Sequence, residues 1–178
     1  DNGGDAASLR QLHQMRYEHV SIRQLSRPGL TRAWNVAARM ATTRWLVFLN
    51  NDTETTGPWV ESLIHPLREG RSPVAAVELR WEMALRVPIQ VPSGWCFAIE
   101  RTWLLEQGGF DESMHLYFSD TDIFLRARQA RGPGAWTAVN GLPLRHFGHQ
   151  TTCHLNNRRS QWYADYRRFL ARWSSHEE

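Results

Sequence analysis

Asn50, Asn51 and Asp52 directly follow an unbroken apolar run, Trp45 to Leu49. Such a run reads as a buried strand of an α/β sheet, and open α/β sheets bind ligands at the carboxyl ends of their strands. A carboxylate flanked by two amides suits a hard cation that bridges phosphate oxygens. The same residues also suit a plain strand-ending turn, because Asn and Asp bond their own backbone. Two further segments carry reactive groups. One is Gly108-Gly-Phe-Asp-Glu112, followed by Tyr117-Phe-Ser-Asp-Thr-Asp122 and Arg126; the other is Arg145-His-Phe-Gly-His149. Their carboxylates can move protons, and a histidine nitrogen, a borderline ligand, suits Mn2+ better than Mg2+.

These segments need elements to position them. Ala6 to Met15 reads as a short helix with Asp5 as N-cap, and the alternation in Val20 to Leu25 predicts a strand. After the Pro28-Gly29 turn, Leu30 to Met40 predicts a helix with Trp34, Ala37, Ala38 and Ala41 turned toward the strand that ends at Asp52. Thr55-Thr-Gly-Pro58 starts another helix through Trp59, Leu63, Ile64 and Leu67. Val74 to Val77, Trp95 to Ile99 and Ala135 to Val139 are strand-like, whereas Pro88 and Pro92 make Arg80 to Val91 a loop or edge strand. Arg101 to Gln107 is a helix stopped by Gly108-Gly109. Asp120 to Gln129 is a second, and Leu142 to Phe147 leads into a His-bearing loop. Trp162, Tyr166, Phe169, Leu170 and Trp173 recur at helical spacing and predict a closing amphipathic helix over Gln161 to Trp173. This order predicts one three-layer α/β/α domain over residues 1–178.

Composition narrows the class. The chain has 178 residues, 42% hydrophobic and 22% charged, which is the balance of a globular domain with a real core. No apolar run approaches the roughly 20 residues that span a bilayer. Cys96 and Cys153 lack metal-like spacing, which points to a reducing cytoplasm. All 21 basic side chains are Arg, scattered among acids with a net charge of +3. That distribution favours anionic small partners over nucleic acid. Asp1-Asn-Gly-Gly-Asp5 is turn chemistry that ordinarily follows a strand.

Taken in order, the motifs resemble those of inverting glycosyltransferases of family 2, which have the GT-A nucleotide-sugar fold. The resemblance rests on Asp1-Asn-Gly-Gly-Asp5, Gly29 with Ala33-Trp-Asn35, Asn50-Asn-Asp52, Gly108-Gly-Phe-Asp-Glu112, Ser119-Asp120 with Arg126, and His146. It extends to the closing Trp162 to Trp173 segment. The chain departs from the pattern in three places. The strand-helix unit that usually precedes the DNG turn is expected to be absent, a truncation at the N-terminus. The DxD-type motif keeps one carboxylate, and Ser119 stands where an acid is usual.

The resemblance implies a mixed central sheet, a nucleotide-sugar donor (UDP-, GDP- or dTDP-linked), a Mn2+ or Mg2+ cofactor and transfer of a hexosyl or deoxyhexosyl unit with inversion. It implies Asp52 and His146 as metal ligands, with His149 and His154 as nearby competitors, and Asp120 as the general base. Helix capping accounts for Asp122 better than for Asp120. Asp1 would meet the nucleobase, Asn50 the ribose or metal shell, and Arg32 the diphosphate, although a solvated helix face also explains Arg32. Asn35 is expected to hold the neighbouring strand by hydrogen bonds rather than touch substrate. Gly94, Trp95, Asp111 and Glu112 would shape the acceptor side, Gly94 by permitting close backbone approach; core packing and turn capping are the plainer readings of Trp95 and Glu112. The implied acceptor is a glycan or a lipid-linked glycan, with peripheral association at the inner face of the membrane. A non-catalytic GT-A-like binding or scaffolding domain is the alternative.

Overall fold

The computed structural model describes residues 6–14, 18–27, 29–148 and 155–174. Its centre is a four-stranded mixed sheet made of β1 (Trp45–Leu49), β6 (Cys96–Glu100), β3 (Val74–Ala76) and β7 (Trp136–Ala138), in that order. β6 runs antiparallel to both β1 and β3, and β7 runs parallel to β3. Side chains alternate across a strand, and both faces here are apolar. One face sends Leu46, Phe48, Val74, Ala76, Phe97 and Ile99 into the larger core. The other sends Ala75, Val77, Cys96 and Ala98 against Leu63 and Leu67 of α3 (Val60–Arg68).

The larger core is closed by residues from α2 (Leu30–Met40), α4 (Arg101–Glu106), α5 (Ser119–Arg131) and α6 (Arg158–Trp173). Helices therefore cover both sheet faces, and the expected three-layer α/β/α sandwich with a mixed sheet is the observed fold. The remaining elements are α1 (Ala6–Gln14), a short 3-10 turn (Gly132–Gly134) and two small two-stranded sheets. One pairs β2 (Thr53–Thr55) with β8 (Leu144–His146), and the other pairs β4 (Leu79–Glu82) with β5 (Ile89–Pro92).

Two expectations change. Residues 20–25 form no strand. Ile22 and Leu25 are half-buried, Leu25 beside α2, without pairing to a strand among the described residues, and Val20 is left 56% exposed. The 80–91 stretch, expected as a loop or edge strand, is a hairpin in which Pro92 stands opposite Leu79 at the open end. Asp5 lies outside the described residues.

The segment leading into α5 is held from α6. The buried Asp165 carboxylate accepts the backbone N–H groups of His115, Leu116 and Tyr117 at 3.0–3.1 Å. Gln161 and Arg168 donate to the same carboxylate at 2.9 and 3.2 Å. Phe118 then adopts a left-handed conformation (φ 65°), uncommon for a bulky residue. Its ring is clamped by Phe169, Trp162 and Tyr166, with centroids 5.0, 5.5 and 5.8 Å away.

Removing Asp165 leaves those amides unpaired. Asp165→Ala is expected to destabilise the fold by about 3–5 kcal/mol in urea unfolding, and a loss below about 1 kcal/mol would contradict this clasp. Cys96 offers a second test. Burial raises its thiol from the ordinary 9.0 to about 12. The folded state therefore favours the neutral thiol, so this contribution is intact below 9.0 and is lost as pH climbs toward about 12. Over that range the unfolding free energy is expected to fall more steeply for the native chain than for Cys96→Ala.

Candidate active site

At the carboxyl end of β1, Leu49 pairs with Cys96, and the Asn50 amide donates to the Trp95 carbonyl at 2.8 Å. The chain then turns into β2, whose Thr53 stands opposite His146 on β8. The Phe147 amide donates to the Asp52 carbonyl at 2.9 Å. This small sheet holds the two side chains together: His146 Nε2 lies 3.0 Å from Asp52 Oδ1, and Asn50 Nδ2 lies 3.5 Å from the same ring nitrogen. Trp95 stacks on the imidazole at 4.7 Å and 8°.

A carboxylate oxygen and an imidazole nitrogen facing one another form a donor pair that fits Mn2+, a cation taking the place of the shared proton. Among the described residues no group of three or more His, Cys, Asp or Glu side chains gathers around one point. Most of the coordination would therefore come from ligand oxygens and water, as is usual for cations that bridge phosphates. The Thr53 hydroxyl, opposite His146, is buried without a hydrogen-bond partner among the described residues.

Asp120 stands in the first turn of α5, where the helix dipole favours a carboxylate. Its side chain is 19% exposed. A Cβ built on Gly94 would lie 2.0 Å from Asp120 Oδ2, so only glycine lets this backbone and the carboxylate share the space. Arg80 Nη2 lies 3.7 Å from the same oxygen and donates to Thr121 Oγ1 at 2.7 Å, while its Nη1 donates to the buried Glu82 at 2.9 Å. Burial opposes the Arg80 charge, but Asp120 and Glu82 outweigh it and hold the guanidinium above its ordinary value. Arg80 thus stays a cation directed at Asp120.

A cleft of about 1060 Å3 joins these parts, lined by Asn50, Arg80, Glu82, Gly94, Trp95 and Asp120 on one side and by residues of α6 on another. Asp52 and His146 adjoin it through Asn50 and Trp95. Asp52, His146, Asn50, Trp95, Gly94 and Asp120 therefore converge on one region despite their separation along the chain.

Other expected site residues go elsewhere. Asp111 and Glu112 border a separate depression with Asn35 and Arg172. Asn35 donates to the Phe110 carbonyl (2.8 Å) and to Glu112 (3.0 Å) and accepts from the Phe110 amide (2.9 Å), so it clasps the glycine turn. Burial pushes Asp111 up, but bonds from Ser113 and the charges of Arg172 and Arg126 outweigh it and hold the carboxyl below its ordinary value. Asp122 is fully buried against Arg126, Arg172 and Trp173. Arg32 is absent from the residues lining the cleft. Asp1, His149 and His154 lie outside the described residues.

Arg80 and Glu82 are functional candidates that the sequence reading passed over. The signal was the alternation from Leu79 to Glu82, obscured by the prolines that follow.

A family model described as glycosyl transferase family 2 matches residues 1–122. No curated protein sequence matches the chain. Among solved structures, GalNAc-T7 with UDP, GalNAc and Mn2+ aligns with 96% of this chain and 40% of its own, at 15% identity and a TM-score of 0.65. The mannosyltransferase PcManGT from Pyrobaculum calidifontis, in complex with GDP-Man and Mn2+, aligns with 97% of this chain and 53% of its own, at 16% identity and a TM-score of 0.62. At such identities the likeness is one of fold. The chain spans about half the length of these structures or less.

The Gly94 contact yields a direct test of the geometry. Gly94→Ala forces the Asp120 carboxylate aside, and any turnover at this cleft is expected to fall by about 100-fold. The melting temperature should move by no more than about 4 °C. Turnover within about twofold of the native chain would show that the contact does not position Asp120.

Proposed function

The chain belongs to glycosyl transferase family 2, and from that premise we propose that its cleft moves a hexosyl or deoxyhexosyl unit from a nucleotide sugar to an acceptor hydroxyl with inversion. The observation that carries this reading is the contact path from Asp52 and His146, through Trp95 and Gly94, to Asp120. On this reading Asp52 and His146 hold the diphosphate beside the cleft that Asp120 lines as proton acceptor.

In the proposed reaction Asp120 takes the proton of the acceptor hydroxyl as that oxygen attacks the anomeric carbon. The new carbon–oxygen bond forms on the face opposite the leaving group, and the bond to the nucleoside diphosphate breaks with its electron pair staying on the diphosphate. Arg80, itself held by Glu82 and Thr121, sets its guanidinium charge 3.7 Å from Asp120 Oδ2. Mn2+ or Mg2+ held by Asp52 and His146 would supply stabilisation of the charge on the departing diphosphate. Mn2+ is the better match for the imidazole nitrogen. The two structural neighbours were solved with UDP or GDP-Man and Mn2+, which supports this class of donor and cofactor.

No helix among the described residues is long and apolar enough to cross a membrane. A lipid-linked glycan acceptor would therefore be met at a membrane surface, and a soluble glycan in solution.

The test is release of nucleoside diphosphate from a panel of UDP-, GDP- and dTDP-sugars with Mn2+. The chain is expected to turn over at least one donor, Asp52→Ala to abolish the metal-dependent rate, and Asp120→Asn to lower transfer by about 100-fold or more. Undiminished transfer by Asp120→Asn would remove it as the base. Calorimetry showing no heat with any nucleoside diphosphate plus Mn2+ would leave a non-catalytic domain as the better description.

A further inference from the structure

The short sheet that carries His146 needs an anchor. β2 and β8 pair through three residues each, and an isolated two-stranded pair is marginal on its own. It nonetheless holds His146 Nε2 at 3.0 Å from Asp52. Resting on the reading of Asp52 and His146 as the metal-holding pair, we propose that Trp95 is a positioning residue for that pair. Its indole sets the plane of the His146 ring and so raises the affinity of the pair for Mn2+.

The hydrogen bonds of the ring leave its plane open. A metal-binding imidazole is ordinarily oriented by a partner on its second nitrogen. Here both polar contacts that the described residues make with the ring, from Asp52 and Asn50, fall on Nε2. Two contacts at one atom fix where that nitrogen lies and let the ring turn about it. The Trp95 face removes that freedom, lying 8° from parallel with the imidazole at 4.7 Å.

Trp95 is itself held at both ends. Its Nε1–H donates to Glu78 Oε1 at 2.8 Å, and its carbonyl accepts the Asn50 amide at 2.8 Å. The indole packs against the core on the α3 side, and the next residue, Cys96, is fully buried and begins β6. Through this side chain the main sheet lends its rigidity to the smaller one. Charge adds to geometry. A cation on Nε2 would draw electron density from the imidazole, and a positive group over an indole face is favoured. The stack is then stronger with the metal than without it, which is the condition for a gain in affinity. Trp95, expected on the acceptor side, thus commits one face and its N–H to the metal-holding pair.

Two readouts test this on the full chain. In NMR without nucleotide, the His146 ring protons are identified by their loss in His146→Ala. They are expected upfield, under the Trp95 ring, and to broaden on addition of Mn2+. In Trp95→Leu, which keeps an apolar side chain, the upfield shift should vanish and broadening should need about 10–100-fold more Mn2+. In Trp95→Phe, which keeps a stacking face, it should need no more than about threefold more. The second readout is the paramagnetic resonance of free Mn2+ in the presence of UDP or GDP. Mn2+ binding should weaken about 10–100-fold in Trp95→Leu, while calorimetric binding of UDP or GDP without metal stays within about twofold. An unchanged Mn2+ response in Trp95→Leu, a loss in Trp95→Phe equal to that in Trp95→Leu, or no broadening in the native chain would overturn the assignment. Metal-free nucleotide binding that falls by the same factor would mark a general structural role and overturn it too. A chain that releases nucleoside diphosphate with a Mn2+ dependence indifferent to Trp95 fails this inference alone. One whose His146 responds to Mn2+ through Trp95 but consumes no donor fails the transferase reading instead.

Discussion

One buried charge organises the reactive side of this domain. The Asp165 carboxylate lies in the interior and meets its desolvation with the amides of His115, Leu116 and Tyr117 and with Gln161 and Arg168. A carboxylate buried without such donors would cost several kcal/mol. The loop before α5 therefore cannot leave α6 cheaply. Phe118 is held in its left-handed conformation at the end of that loop, and Asp120 follows two residues later. The positions of the proposed base and of the aromatic cluster around Phe118 are consequences of one packing solution.

The proposed donor side, around Asp52 and His146, is built by different means. There the strand ends do the positioning: the antiparallel pairing of β1 with β6 puts Trp95 beside Asn50, and that of β2 with β8 puts His146 beside Asp52. Stacking of Trp95 on His146 joins the two strand pairs. The two halves then meet at Gly94, where a missing Cβ is the condition for contact with Asp120. A second set of polar contacts supports α5 from behind. Arg126 donates to the Gln107 and Gly109 carbonyls at 2.7 Å and pairs with the buried Asp122, while Asn35 holds the Phe110 backbone. These groups fix the glycine turn and stay clear of the cleft.

Much of this was legible in sequence where a local pattern coincides with burial. The apolar run from Trp45 to Leu49 is a core strand, and the helical spacing from Trp162 to Trp173 marks α6. Asn35 is a hydrogen-bonding residue as expected, but it holds the Phe110–Glu112 turn and not the neighbouring strand. Asp122, for which capping was the favoured reading, is an interior ion-pair partner. What escaped depends on long-range pairing. Residues 20–25 alternate as a strand does but find no strand partner among the described residues. The hairpin that carries Arg80 to Asp120 was hidden because its prolines sit at the margins of the pairing, where a missing N–H does no harm. Asp111 and Glu112 look reactive in a motif, yet Ser113, Arg172 and Asn35 occupy them. A one-dimensional pattern reports residue type and spacing, and does not say which polar groups are already engaged by others.

The central proposal is that Asp120 acts as base from the cleft wall while Asp52 and His146, which adjoin the cleft through Asn50 and Trp95, hold the leaving diphosphate, so that transfer inverts. The most direct measurement is the anomeric configuration of the product, read by proton NMR early in the reaction with an α-linked nucleotide sugar and Mn2+. The account predicts a β-linked glycoside as the initial product. An α-linked product would contradict it, because a single displacement assisted by Asp120 cannot retain configuration.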